Sequence, residues 1–167
     1  GVMHALLDEA KKLRMAAEVH SPTAAAAATA VTGGAPALVH GVLDERVDAP
    51  FIESLLSGEV FYMPTFCLFH FLAGADSFIS RALTDSVFRN SLPPETIGKL
   101  TAPEYAARYR DRYPNQAYVA SRLKILTENT SAIARNYAQI AMGTDMWALP
   151  GIGAHLELEY MVKSGLT

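Results

Sequence analysis

Three features are scarce in this sequence: cysteine, long apolar runs and basic tracts. The single cysteine of the 167 residues, Cys67, cannot form a disulfide within the chain, and its position in the apolar run FCLFHFLAG favours a buried free thiol. No run approaches the roughly eighteen apolar residues of a membrane span, and no charged segment leads into an apolar one at the start. The sequence therefore predicts no membrane partner, and it carries no signal for a compartment, so the cytoplasm is the default.

The charge balance excludes an obvious nucleic-acid partner. Fourteen Lys and Arg against seventeen Asp and Glu give a formal net charge of -3, and no basic stretch alternates with aromatic residues. No GxGxxG or Walker pattern follows a predicted strand. The pair Gly33-Gly34 stands between a helix and a strand, so a non-catalytic α/β module that binds a small anion remains only an alternative.

The first 66 residues predict a helix followed by a short strand, three times over. Apolar residues recur at helical spacing in the first segment, the alanine tract of the second is a strong helix former, and Asp48 caps the third helix before Gly58 closes it. The predicted helices lie within residues 3–14, 23–33 and 48–58, and the predicted strands within 15–20, 37–40 and 60–66.

The alternation then stops and resumes. Residues from Phe66 to about Ala138 predict a helical insertion that includes a capping box of Thr101 with Glu104 and ends in a long helix from Asn115, with Tyr137 on its apolar face. A fourth strand is predicted over 139–145, followed by a last helix over 154–165.

Strands separated by single helices form parallel sheets, either open or closed into a (β/α)8 barrel. A complete barrel needs roughly 250 residues, so four strands represent about half of one. The predicted fold is α/β, a partial (β/α)8 TIM-like barrel, with residues 1–167 forming one incomplete domain.

Three predicted strands end at or beside a residue whose side chain is a common metal ligand: His20, His40 and Asp145. Functional sites of parallel α/β folds form at this edge, and imidazoles with a carboxylate suit zinc and related divalent ions. For either histidine alone, a partly buried ring bonded to a backbone carbonyl would be the better interpretation. The agreement of three strands favours a hydrolytic metal site.

The sequence resembles the amidohydrolase superfamily, in the branch of imidazolonepropionase-like enzymes and Xaa-Pro dipeptidases. The resemblance rests on five segments in the same order: VH at 19–20, VHG at 39–41, VFYMPT at 60–65, IAMGTD at 140–145 and HLELEYMVKSGLT at 155–167. It implies that the four strands are the fifth to eighth of a barrel, with the insertion after the seventh. It also implies that His20 and His40 bind one metal ion, while Asp145 binds the other and moves a proton.

The implied activity is metal-dependent hydrolysis of a C–N bond in an amide, a cyclic amide or a peptide-like substrate. The family also carries an HxH pair after the first strand and a Lys or Glu on the fourth, and both would precede this sequence. We therefore expect an incomplete site that needs a missing amino-terminal half or a homo-oligomer partner, or else a truncated remnant.

Two further residues are candidates for substrate binding. Trp147 follows Asp145 closely, where it could line the substrate pocket or pack against the insertion, and packing is the favoured interpretation. His155 precedes the acidic turn of the last helix, where it could face the mouth of the site or pair with Glu159 at i,i+4.

Overall fold

Short parallel strands alternate with helices in the first third of the chain. The computed structural model describes residues 1–149 and 151–167. Its strands are β1 (Glu18–His20), β2 (Ala37–Val39) and β3 (Phe61–Met63), which pair in the order β1-β2-β3. The helices between them are α1 (Val2–Lys12), α2 (Ala24–Thr32) and α3 (Ala49–Ser57). The parallel register sets His20 opposite Val39 and Val39 opposite Met63, so the strands end at one edge.

The predicted fourth strand is reduced to a single bridge. Tyr62 pairs in parallel with Ile140: its amide donates to the Gln139 carbonyl at 2.9 Å, and its carbonyl accepts from the Ala141 amide at 3.1 Å. Since β3 ends at Met63, the ladder has no further partner for residues 142–145. The prediction of a strand over 139–145 was therefore too long, although its start lies beside β3 as expected.

Helices make up most of the chain after β3, and those up to Arg135 form the predicted insertion. They are α4 (Phe66–Ala73), α5 (Ala75–Thr84), α6 (Ser86–Ser91), α7 (Pro94–Thr101), α8 (Pro103–Arg112), α9 (Gln116–Arg135) and α10 (Ile152–Lys163). The capping box was wrong, because Thr101 ends α7 and its hydroxyl donates to the Ile97 carbonyl at 2.9 Å. Tyr137 was also wrongly placed: it follows the end of α9 with φ 63° and is 91% exposed.

Two apolar clusters hold these elements together. One lies between the sheet, the first three helices and α9, and contains Leu38, Leu55 and Ile133. The other lies among α4, α5 and α10 and contains Phe71 and Leu156. Helix α9 contributes to both, with Ile133 in the first and Leu126 in the second, so the insertion is anchored to the sheet.

Among the described residues no single helix is both long and apolar enough to cross a membrane. Helices α4 and α5 are long and apolar enough only when taken together, and the chain bends by 118° between them. Cys67, in α4, is a buried free thiol, as its sequence context predicted.

Candidate functional site

The carboxyl ends of the strands bring together the three residues predicted for a metal site. The His20 and His40 rings meet edge to face, with centroids 4.4 Å apart. His40 Nε2 lies 3.9 Å from Asp145 Oδ2. The His40 side chain is only 6% exposed, whereas that of Asp145 is 53% exposed. The cluster is thus a surface site with one buried wall, in which Asp145 is accessible to a substrate.

The backbone at this edge is held in an unusual conformation. His40, Thr65 and Asp145 have positive φ values of 73°, 50° and 45°. Left-handed backbone is uncommon outside glycine, and it is particularly unfavourable for a β-branched residue such as Thr65. Such conformations cost about 1–3 kcal/mol each and concentrate at functional sites. Three of them at one sheet edge support a site whose side-chain directions are fixed by the fold.

The surroundings of His40 favour the neutral form of its imidazole. Burial and the neighbouring His20 lower its pKa, and Asp145 opposes them by favouring the charged form. On the other side of the ring, Nδ1 lies 2.9 Å from Thr65 Oγ1. A hydrogen bond at one ring nitrogen fixes the orientation of the other, which is how metal-binding histidines are usually positioned. Thr65 was not predicted as a site residue, although it lies in the VFYMPT segment.

A second set of buried polar contacts fixes the loop that follows His40. The Tyr62 hydroxyl accepts from the Val42 amide at 2.8 Å. Asn129, 2% exposed on α9, donates to the Val42 and Glu45 carbonyls and accepts from the Val47 amide. Asn129 was also missed, because it lies between apolar positions of a helix and only its three-dimensional neighbours show its role.

The donor set suits a divalent ion but does not enclose one. Two imidazoles and a carboxylate are typical zinc ligands. Among residues 1–149 and 151–167, however, no group of three or more His, Cys, Asp and Glu side chains is arranged to hold an ion. The residues present are therefore compatible with part of a metal site, and the metal roles of His20, His40 and Asp145 remain predictions.

Trp147 packs against the insertion while keeping part of its surface free. Its Nε1 donates to the Tyr109 hydroxyl at 3.0 Å, and its ring meets Phe71 edge-on at 5.9 Å. The residue is nevertheless 46% exposed. Both interpretations offered by the sequence are thus compatible with its position, and a role in substrate binding stays a prediction.

His155 lies on α10 beside Phe88, with ring centroids 5.8 Å apart. The carboxylate considered as its partner, Glu159, pairs instead with Lys163 at 3.3 Å. His155 is exposed, and its contact with substrate stays a prediction.

Comparisons with known proteins show similarity of fold without assigning a family. The sequence has no significant match among protein-family models or curated proteins. Among solved structures, a Xaa-Pro dipeptidase with methionine bound in its active site is similar, with a TM-score of 0.62 and 20% identity over 98% of this chain and 32% of the dipeptidase. The ochratoxinase of A. niger is similar with a TM-score of 0.58 and 18% identity, over 98% of this chain and 29% of that enzyme.

At these identities the similarity concerns the fold alone. The chain shares its fold with parts of these two enzymes, and it spans about a third of the length of each. This agrees with the predicted partial barrel, whereas the numbering of its strands within a barrel stays a prediction.

Proposed function

We propose that this chain is part of a metal-dependent hydrolase that cleaves a C–N bond in an amide, cyclic amide or dipeptide-like substrate. The observation that carries the proposal is the meeting of His20, His40 and Asp145 at one sheet edge. The two imidazole centroids lie 4.4 Å apart, and His40 Nε2 lies 3.9 Å from Asp145 Oδ2. The similar folds of a dipeptidase and an ochratoxinase support it. In this proposal the two histidines hold a divalent ion, with zinc the best match to the donor set.

When bound, such an ion supplies Lewis-acid activation of a carbonyl and of water. The chain's own residues supply position and proton transfer. Thr65 orients the His40 ring, and the buried imidazole forms the wall of the site. Asp145, with its exposed carboxylate, accepts a proton from the attacking water and delivers it to the leaving nitrogen.

The site needs ligands beyond those that the described residues bring together. Strand β1 pairs only with β2 within the described chain, so its other edge is free to pair with another strand. We propose that the remainder of a barrel supplies both the strand and the additional ligands, with a second copy of the chain as the alternative partner. On this account the 167 residues alone are inactive and tend to associate.

Trp147 is the main residue that we propose for substrate binding. Its indole is fixed by Tyr109 and Phe71 and leaves an exposed face two residues from Asp145 in sequence. We propose that this face contacts an apolar part of the substrate. His155 is proposed as a more distant contact at the mouth of the site.

The test compares wild-type enzyme with Asp145→Asn in the complete protein encoded by the reading frame. N-acyl amino acids, dipeptides and cyclic amides are assayed with zinc or manganese. Asparagine keeps the shape of the side chain but cannot accept the proton, so turnover should fall at least about a hundredfold with metal still bound. Asp111→Asn, on the exposed surface of α8, is the matched control. Turnover close to wild type in Asp145→Asn would refute the assigned role, and the absence of metal-dependent hydrolysis across the panel would refute the proposed function.

A further inference from the structure

Glu157 is a completely buried acidic residue on α10, with 0% of its surface exposed. Its carboxylate oxygens accept hydrogen bonds from the Phe66 amide at 2.8 Å and the Cys67 amide at 2.7 Å. These amides begin α4, where the first N–H groups of a helix have no partner within the helix. A carboxylate at this end also interacts favourably with the helix dipole. Glu157 therefore caps a helix that begins about ninety residues earlier in the sequence.

The residue that would ordinarily cap α4 does not do so. Thr65 is the N-cap, but its side chain makes no cap hydrogen bond, and its backbone lies at φ 50°, ψ 49°. Thr23 shows the ordinary arrangement in the same chain: its backbone is extended, at φ -117°, ψ 149°, and its hydroxyl accepts from the Ala26 amide. The Thr65 hydroxyl is instead bonded to His40 Nδ1 at 2.9 Å.

We propose that Glu157 is a positioning residue: by capping α4 in place of Thr65, it leaves the Thr65 hydroxyl free to fix the His40 imidazole. The importance of that ring for catalysis rests on the proposed function, whereas the chain of contacts from Glu157 to His40 does not. Glu157 touches neither His40 nor Asp145 through a hydrogen bond, so its effect passes through the start of α4 and Thr65.

The surroundings make this arrangement rigid. Cys67 Sγ donates to the Gly153 carbonyl at 3.1 Å, which ties α4 to α10 a second time. The Gly41 amide donates to the Pro64 carbonyl at 3.0 Å, which ties the residue after His40 to the residue before Thr65. Without the carboxylate, two buried amides lose their acceptor, and the Thr65 hydroxyl is the capping group nearest in sequence. To cap these two amides, Thr65 has to leave its left-handed backbone conformation, and its hydroxyl has to leave His40.

The experiment uses NMR of the complete protein and its variants above pH 7, where Glu157 is ionised, without added metal or substrate. Long-range correlations within the imidazole report which nitrogen of His40 carries the proton, and the exchange rate of that proton reports its hydrogen bond. In Glu157→Gln the amide offers one acceptor oxygen for two N–H donors. Since Nε2 faces Asp145, we propose that Nδ1 carries the proton and donates it to Thr65 Oγ1. In the variant we expect this proton to exchange at least about ten times faster, the change that corresponds to losing one hydrogen bond.

Two controls separate positioning from stability. Glu159→Gln makes the same chemical change on the exposed surface of α10, and Asp85→Ala removes an ordinary cap at the start of α6. Both should leave the His40 signals unchanged. If folded Glu157→Gln also leaves them unchanged, Glu157 is merely a structural cap and the proposal is overturned.

Thr65 tests the same chain of contacts if Glu157→Gln fails to fold. Thr65→Val should release the His40 proton while the Phe66 and Cys67 amides stay protected, and Thr65→Ser should restore the wild-type signal. Unchanged His40 exchange in Thr65→Val, or loss of protection at the two amides, would overturn the proposal. Because the measurement involves no hydrolysis, failure of the proposed function leaves its outcome unaffected.

Discussion

Glu157 should make this protein less stable as the pH rises from about 4.5 to about 7. Burial raises its pKa from 4.5 to about 7, against the opposing effect of the hydrogen bonds from Cys67 and Phe66. The folded value lies above the unfolded one, so on raising the pH the unfolded chain releases this proton first. The contribution of Glu157 to the free energy of unfolding is therefore full below about pH 4.5 and is lost as the pH rises to about 7.

The gap between the folded and unfolded pKa values of Glu157 corresponds to about 3 kcal/mol, since each pKa unit is worth about 1.4 kcal/mol. Glutamine does not titrate, so Glu157→Gln should lack this dependence. Other groups titrate in the same range. The pKa of His70, lowered to about 4 by burial, Arg81 and Lys163, gives a slope of the opposite sign. That slope is common to both proteins and cancels when their unfolding free energies are subtracted.

The assay is urea unfolding of wild type, Glu157→Gln and the exposed control Glu159→Gln at several pH values from 4 to 8, followed by circular dichroism. The wild-type free energy of unfolding minus that of Glu157→Gln should fall by about 3 kcal/mol between pH 4.5 and 7. A difference that does not vary with pH would refute the raised pKa. A difference that grows with pH would show that the two amide hydrogen bonds outweigh burial.

Three further predictions follow from the contacts around the site. Asn129→Ala should lower the free energy of unfolding by about 2–4 kcal/mol, because one buried and two partly buried backbone groups lose their partner, and a loss below 1 kcal/mol in urea unfolding would contradict this. Gly41→Ala should destabilise by about 1–3 kcal/mol, because its Cβ would lie 2.8 Å from the Tyr62 hydroxyl. Gly98→Ala, with open space around it, should not destabilise, and equal unfolding curves for the two alanine variants would contradict the argument. In the complete enzyme, Trp147→Leu should raise KM about tenfold for substrates with a large apolar group and leave small substrates unaffected, and equal effects on both would contradict the proposed contact.

Local sequence patterns predicted the elements that local chemistry determines. Thr23 and Asp48 cap their helices through their own side chains, so the starts of α2 and α3 were predictable from the residues alone. The fourth strand was overestimated because strand length depends on the partner, and β3 ends at Met63. The Thr101 capping box failed for a related reason: the motif matched, but Thr101 lies at the end of one helix and not at the start of the next.

Part of the candidate site could also be predicted from local sequence patterns. His20, His40 and Asp145 follow predicted strands, and parallel pairing brings strand ends together, so their proximity could be expected. Thr65 and Glu157 could not be recognised without coordinates. Their contacts, from Thr65 to His40 and from Glu157 to the start of α4, join residues 25 and about 90 positions apart. No periodicity or spacing rule encodes these pairs.

The central claim, that His20 and His40 share one divalent ion with Asp145 beside it, is tested most directly by titrating the complete protein with zinc and following the imidazole nitrogen signals. The account predicts that the His20 and His40 signals shift together and saturate at one ion per chain. His20→Ala or Asp145→Ala should weaken binding at least about tenfold, whereas the exposed control His4→Ala should not. Zinc binding of equal strength in His20→Ala, or separate saturation of the two histidines, would contradict it.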